Sequence, residues 1–124
     1  MAMSEIFTQE AIDQEYQRIV SNLKALNSAL TEESTVLGRM IAAKNRLIDA
    51  KDRMIEALKR KIEAFKREFP VDDNEIAAID KEITVIDKEI TAIKEEIAVM
   101  DKELEVLGKK IAALERKIPD YYIA

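Results

Sequence analysis

Lys44 and Lys51 are the residues whose placement in the sequence most favours chemistry. Each takes the fourth place of a seven-residue repeat, IAAKNRL and then IDAKDRM, where the next two repeats carry Leu58 and Phe65. A lysine buried among apolar side chains has a lowered pKa, and it can act as a base or contact an anionic partner. The simpler interpretation is a stem lying along the apolar face with its ammonium at the surface, or a polar residue that fixes helix register. We expect the simpler interpretation.

The rest of the sequence offers few groups for catalysis. It has 0 His and 0 Cys, which removes imidazole and thiolate nucleophiles and zinc ligands, and its 2 Gly leave no glycine-rich phosphate loop. Pairs of Asp and Glu recur in the second half, but on a regular repeat these are solvated flanks. A carboxylate di-metal bundle would need Glu at core positions. We therefore expect no enzyme, no catalytic, cofactor-binding or metal-ligating residue, and no cofactor.

Composition indicates the elements that carry these residues. Of 124 residues, 48% are hydrophobic and 36% charged but only 5% aromatic, which suits long helices with a narrow apolar stripe. The net charge of −5 disfavours nucleic acid as a partner. No apolar run is long enough to span a membrane, and the N-terminus lacks the pattern of a signal peptide. These features favour a cytoplasmic or virion-associated protein.

The second half of the sequence is a strict heptad repeat. From Ile76 it reads IAAIDKE, ITVIDKE, ITAIKEE, IAVMDKE, LEVLGKK and IAALERK, without a skip. A strict seven-residue period places one apolar seam along a helix and predicts a coiled coil. The predicted seam consists of Ile76, Ile79, Ile83, Ile86, Ile90, Ile93, Ile97, Met100, Leu104, Leu107, Ile111, Leu114 and Ile118.

The first half repeats differently, with a wider apolar face. Each repeat begins with Ile, at Ile41, Ile48, Ile55 and Ile62, and we assign these four residues to an oligomer or hairpin seam. Every third place is Ala and every sixth is Arg, and Met40, Leu47 and Met54 lie just before the isoleucines. A face this wide is typical of a helix that touches two neighbours.

Pro70 separates the two halves. Proline cannot continue a helix interior, and Asp72 can cap a new helix with Glu75 three residues later. The predicted organisation is an N-terminal extension at 1–7, a long helix at 8–68 with an alternative break near residue 30, a turn at 69–72, a coiled-coil helix at 73–118 and an extended tail at 119–124.

Two architectures are compatible with a helix break at Pro70. The chain can reverse at the turn to form a helical hairpin, or it can continue as a parallel oligomeric rod. Residues 39–70 carry net charge +5 and residues 71–118 carry −5, so we favour the hairpin, in which these blocks face each other. Residue i then faces roughly residue 141 − i. The expected pairs are Lys66 with Glu75, Lys61 with Asp80, Lys59 with Glu82 and Lys51 with Glu89.

The predicted fold is all-α, a long helical hairpin that assembles into a homo-oligomeric bundle, with a trimer favoured because Ile fills both core positions. We expect a non-enzymatic scaffold, spacer or assembly adaptor. The alternative is a helical chaperone or a secretion-apparatus stalk-type adaptor, whose apolar face another protein completes. Residues 1–30 and the tail, with Tyr121 and Tyr122, are the further candidate partner contacts.

Overall fold

The computed structural model describes residues 8–67 and 70–119, which are helical over almost their whole length. Helix α1 (Gln9–Arg67) and helix α2 (Asp73–Arg116) pack against each other as a hairpin, and these described residues contain no strand. The hairpin prediction is therefore confirmed, and the continuous rod is not the architecture of the chain.

Helix α1 begins at a threonine cap and continues without a break. The Thr8 hydroxyl accepts a hydrogen bond from the backbone N–H of Ala11 at 3.2 Å, which satisfies one free donor of the first turn. Near residue 30, where the sequence admits a break, the hydroxyls of Thr31 and Thr35 donate to the carbonyls of Asn27 and Thr31 at 2.9 and 3.0 Å. These threonines bond to the helix itself, so the helix is continuous through them.

Helix α2 begins where the sequence places its cap. One carboxylate oxygen of Asp72 accepts hydrogen bonds from the backbone N–H groups of Asn74 and Glu75, at 3.0 and 3.3 Å. The helix starts at the next residue, Asp73, as expected for an aspartate N-cap. The carboxylate of Glu75 contacts Arg67 across the turn at 2.6 Å.

The last turn of α2 tightens before Pro119. The backbone N–H groups of Lys117 and Ile118 donate to the carbonyls three residues earlier, at 3.1 and 3.2 Å. This is the usual way in which a helix end satisfies its last carbonyls. The N-terminal extension at 1–7, residues 68–69 and the tail from 120 onward, which includes Tyr121 and Tyr122, lie outside the described residues.

The chain divides into two compact units, of which the second comprises Gly38–Asp101. In this unit the buried face of α1 is a column of alanines: Ala43, Ala50 and Ala57 are 0% exposed. Met40 is buried beside them, and Leu47 and Met54 are partly buried. The buried side chains of α2 are larger, and they are Ile79, Ile86, Ile90, Ile93 and Met100. Small residues on one helix thus oppose large ones on the other, and together they fill the space between the helices.

The first unit comprises the residues up to Leu37 together with those from Lys102 onward. Its buried side chains on α1 are Ile19, Ala29 and Val36, and those contributed by the C-terminal part of the chain are Leu107, Ile111 and Ile118. Ala29 and Val36 keep the seven-residue spacing of the alanine column. The apolar core of this unit is therefore built on the same helix periodicity.

Enlarging an alanine of the column tests which face of α1 is buried. We expect Ala57→Leu to lower the free energy of unfolding by about 1–3 kcal/mol, because the added atoms must be accommodated in a fully packed seam. The measurement is urea unfolding followed by circular dichroism. Ala98→Leu, at an exposed position of α2, is the matched control and should change stability by less than about 0.5 kcal/mol. Equal effects of the two substitutions would contradict the alanine seam.

Candidate functional site: the exposed stripe of helix α1

A row of ion pairs, which we call the ladder, joins the two helices within the second unit. Four arginines of α1, at seven-residue spacing, each contact a glutamate of α2. The Nη2 atom of Arg46 donates to both carboxylate oxygens of Glu96 at 2.9 Å. The other three nitrogen–oxygen distances are 2.7 Å for Arg53–Glu89, 2.6 Å for Arg60–Glu82 and 2.6 Å for Arg67–Glu75. The residue numbers of every pair add to the same total, so the helices are antiparallel in a single register.

The ladder corrects part of the predicted pairing. Lys61 contacts Asp80 at 2.6 Å, as expected. Glu75, Glu82 and Glu89, however, pair with the arginines at the sixth place of each repeat instead of with Lys66, Lys59 and Lys51. The reason is the position of the seam: because α1 buries its alanines, the residues at its flank are the arginines. Both columns are visible in the sequence, and their common seven-residue spacing was the signal that could have paired them.

Hydrogen bonding across the ladder shifts the pKa of its central groups. The hydrogen bond from Arg60 lowers the pKa of Glu82, and the hydrogen bond from Arg53 lowers the pKa of Glu89. The pKa values of Arg53 and Arg60 are raised by the same hydrogen bonds. These hydrogen bonds therefore favour the ionised forms of both members of the two central pairs.

Burying the alanine column leaves a large apolar surface on α1. Ile41 is 62% exposed, and Ile48, Ile55 and Ile62 are about as open. Leu58 and Phe65 lie beside them and are 44% and 52% exposed. We refer to these six residues as the stripe. Scattered exposed apolar residues are ordinary, but a contiguous row at helical spacing marks a surface that binds another apolar surface.

The structure separates the predicted seam residues into two groups. The residues assigned on α2 are all buried or partly buried in the hairpin. Ile41, Ile48, Ile55 and Ile62 lie outside the hairpin seam, because α1 presents the alanines to α2 and turns these larger side chains to solvent. Their assignment to an oligomer seam stays a prediction.

Lys44 and Lys51 are both exposed, next to the stripe. Neither forms an ion pair within the part of the chain that the structure describes, whereas the arginines of the ladder do. The side chains are therefore not buried bases. They are two cations at the edge of an apolar surface, available to an acidic group outside the hairpin.

The concave surfaces of the two units are shallow. In the second unit a groove of about 340 Å³ lies beside the ladder, and four of its charged lining residues already form the pairs Arg60–Glu82 and Arg67–Glu75. In the first unit an open depression is lined by Lys24, Asn27, Ser28, Thr31 and Glu32. Among the described residues, no group of three carboxylates lies close enough to hold a metal ion.

No family model, curated protein or solved structure matches the chain. Neither helix, over its described residues, has a stretch long and apolar enough to cross a membrane.

The ladder predicts a specific dependence of stability on pH. Because the pKa values of Glu82 and Glu89 are lowered in the folded chain, unfolding takes up protons below about pH 5, and stability is lost as the pH falls through the lowered values. We expect Glu82→Gln with Glu89→Gln to flatten the decline of the melting temperature between about pH 5 and pH 3. Thermal melts at low salt across this range are the measurement.

A control pair keeps the same change in charge but lies outside the ladder. Glu32→Gln with Glu95→Gln alters two exposed glutamates and should leave the slope closer to that of the original chain. If both double variants change the slope equally, the ladder is not the source of the pH dependence.

Proposed function

We propose that the protein is a non-enzymatic structural protein, which acts as a scaffold or spacer by associating with further copies of itself through the stripe. The observation that carries this proposal is the exposure of four isoleucines at seven-residue spacing on a helix whose other face is already packed. The number of copies, for which the sequence favours three, remains a prediction.

The energetics of the stripe support association. Its isoleucines are about half exposed or more, so covering each of them contributes on the order of 1 kcal/mol from the hydrophobic effect. Leu58 and Phe65 extend the same surface toward the turn. A handful of such side chains from each copy is enough to offset part of the entropy lost on association, which is the main cost of assembly.

The second helix offers a weaker surface. Val85, Val99 and Val106 are also exposed, at 65%, 56% and 66%, but the neighbouring repeat places Ala92 at the intervening position. Valine and alanine present less apolar area than isoleucine, so a partner surface on this side would gain less per residue. The stripe of α1 is thus the better candidate.

The alternative is an adaptor or chaperone whose stripe is covered by a different protein. Both functions use the same surface, and they differ in what the isolated chain does. A scaffold of identical subunits associates alone, whereas an adaptor that needs another protein is monomeric without it. The mass of the purified protein in solution therefore decides between them.

Charge placed in the stripe should abolish self-association without unfolding the hairpin. We expect Ile48→Lys with Ile55→Lys to shift the protein from oligomer to monomer, because two cations per chain would be buried in an apolar contact. Analytical ultracentrifugation gives the mass, and circular dichroism shows that helix content is retained.

Val85→Lys with Val99→Lys is the matched control, since it adds the same charge at two equally exposed positions of α2. This control should remain oligomeric. If the original chain is folded but monomeric at every accessible concentration, the scaffold proposal is overturned. If the Ile48/Ile55 variant keeps the mass of the original oligomer, the stripe is not the surface of association.

A further inference from the structure

The stripe belongs to a surface made of three residue columns of α1, with the isoleucines in the middle. About 60° to one side of them lies a mixed column, which consists of Lys44, Lys51, Leu58 and Phe65. About 40° to the other side lies a polar column, which consists of Asn45, Asp52, Lys59 and Lys66. All eight flanking residues are exposed. Because the mixed column begins with two lysines and ends with two large apolar residues, the apolar surface is narrow in its first half and wide toward the turn.

The stripe lies on the side of α1 that faces away from α2. Ile48 and the fully buried Ala50 are two residues apart, which is about 160° around a helix. The second helix packs on the alanine side, and Ile48 keeps 58% of its surface exposed. The stripe is therefore open to another helix lying along it.

The uneven surface complements itself when one copy is reversed. In antiparallel packing of two identical helices, the numbers of facing residues add to a constant. A total of 113 places Ile48 against Phe65 of the other copy, and it places Ile55 against Leu58. All four side chains are about half exposed in the single hairpin. A twofold axis repeats each contact, so the wide half of each stripe covers the narrow half of the other in four apolar layers.

The same alignment brings opposite charges together in the polar columns. It places Asp52 of each copy beside Lys59 of the other. Asp52 is exposed and forms no ion pair within residues 8–67 and 70–119. Lys59 has only a contact of 3.9 Å with Glu56, and both of these side chains are about two-thirds exposed. Both groups are accessible to another molecule. Exposed pairs contribute little stability, so their effect is to select this alignment.

Parallel packing of the same stripes brings like charges together instead. In a symmetric parallel pair each residue of the mixed column faces its own counterpart, so Lys44 meets Lys44 and Lys51 meets Lys51 inside the apolar contact. At the flank, Lys66 of one copy meets Lys61 of the other, because such residues face each other five positions apart. In the antiparallel alignment no lysine of the mixed column faces another lysine of that column.

From this complementarity we infer that the stripe is covered by the stripe of a second copy in antiparallel orientation, with Asp52 of each copy paired to Lys59 of the other. The inference rests on the proposed self-association and adds its orientation and alignment. It brings two copies together in this contact. Three copies were expected because Ile fills both core positions of α2, but the hairpin itself buries or partly buries that seam.

Exchanging the two charges tests the pairing. Asp52→Lys alone places two cations side by side twice in the contact, so it should raise the dissociation constant by roughly threefold to tenfold. Lys59→Asp alone should have a similar effect, because it opposes two carboxylates. The variant with both substitutions should regain most of the original affinity, since the pairs re-form with the charges exchanged. Sedimentation at a series of protein concentrations measures the three dissociation constants.

The control is the same exchange on α2. Lys88→Asp and Glu95→Lys alter two exposed residues that also lie seven positions apart, and they should change the dissociation constant by less than about twofold, alone or together. If the Asp52/Lys59 exchange does not regain affinity, or if the control substitutions have effects of equal size, the pairing is overturned.

Distance measurements test the orientation directly, because the chain has no cysteine of its own. Spin labels are attached to Glu56→Cys in one sample and to Ala42→Cys in another, at exposed positions of one column. Residue 56 lies next to the centre of the inferred contact, so its labels should be within roughly two helix diameters, or about 24 Å. The labels at residue 42 should be at least about 43 Å apart, from the rise of 1.5 Å per residue.

Each other result contradicts a different statement. Short distances in both samples would show parallel packing and overturn the inference while leaving self-association intact. An antiparallel pair shifted by one heptad would give axial separations of about 33 or 54 Å at residue 42, and that result would overturn the pairing of Asp52 with Lys59. A folded monomer with no label–label distance would defeat the proposed function itself and leave the stripe to a different protein.

Discussion

The close packing of alanines against isoleucines is the interaction on which the rest of the hairpin depends. Ala43, Ala50 and Ala57 have no exposed surface, and they allow α1 to approach the large side chains of α2 closely. Once this face of α1 is buried, the orientation of every other column is determined, because all residues of a helix turn together. The arginines come to the flank, where they reach the glutamates, and the isoleucines come to the open side.

The residue columns of the α1 repeat have different roles in the hairpin. The alanines and the side chains of Ile79, Ile86 and Met100 supply the apolar burial that stabilises the second unit. The ladder adds exposed ion pairs, whose main effect is to favour antiparallel pairing of the two helices. The stripe stays about half exposed in the single hairpin, and the proposal of contact between molecules starts from this exposure.

Much of the fold could be predicted from the sequence, because its signals are local. Pro70 and the cap at Asp72 identify the joint, and the strict repeat after Ile76 identifies the buried face of α2. The buried face of α1 could not be predicted in the same way. Hydrophobicity ranks Ile41 above Ala43, so a single-helix view assigns the isoleucines to the seam. Whether α1 buries its alanines or its isoleucines depends on the partner helix and on how closely the two backbones approach. The sequence of one helix alone therefore does not determine it.

The regular repeat of the ladder has a consequence for how the hairpin reaches its final alignment. If α1 slid along α2 by one heptad, Arg46 would meet Glu89, and Arg53 would meet Glu82, so the charges alone leave the alignment degenerate. The short connection breaks this degeneracy. Arg67 and Glu75 already pair next to the turn, and the cap at Asp72 fixes where α2 begins. A hairpin shifted by one heptad would have to unwind the end of α1. The short connection therefore determines which of the equivalent alignments forms.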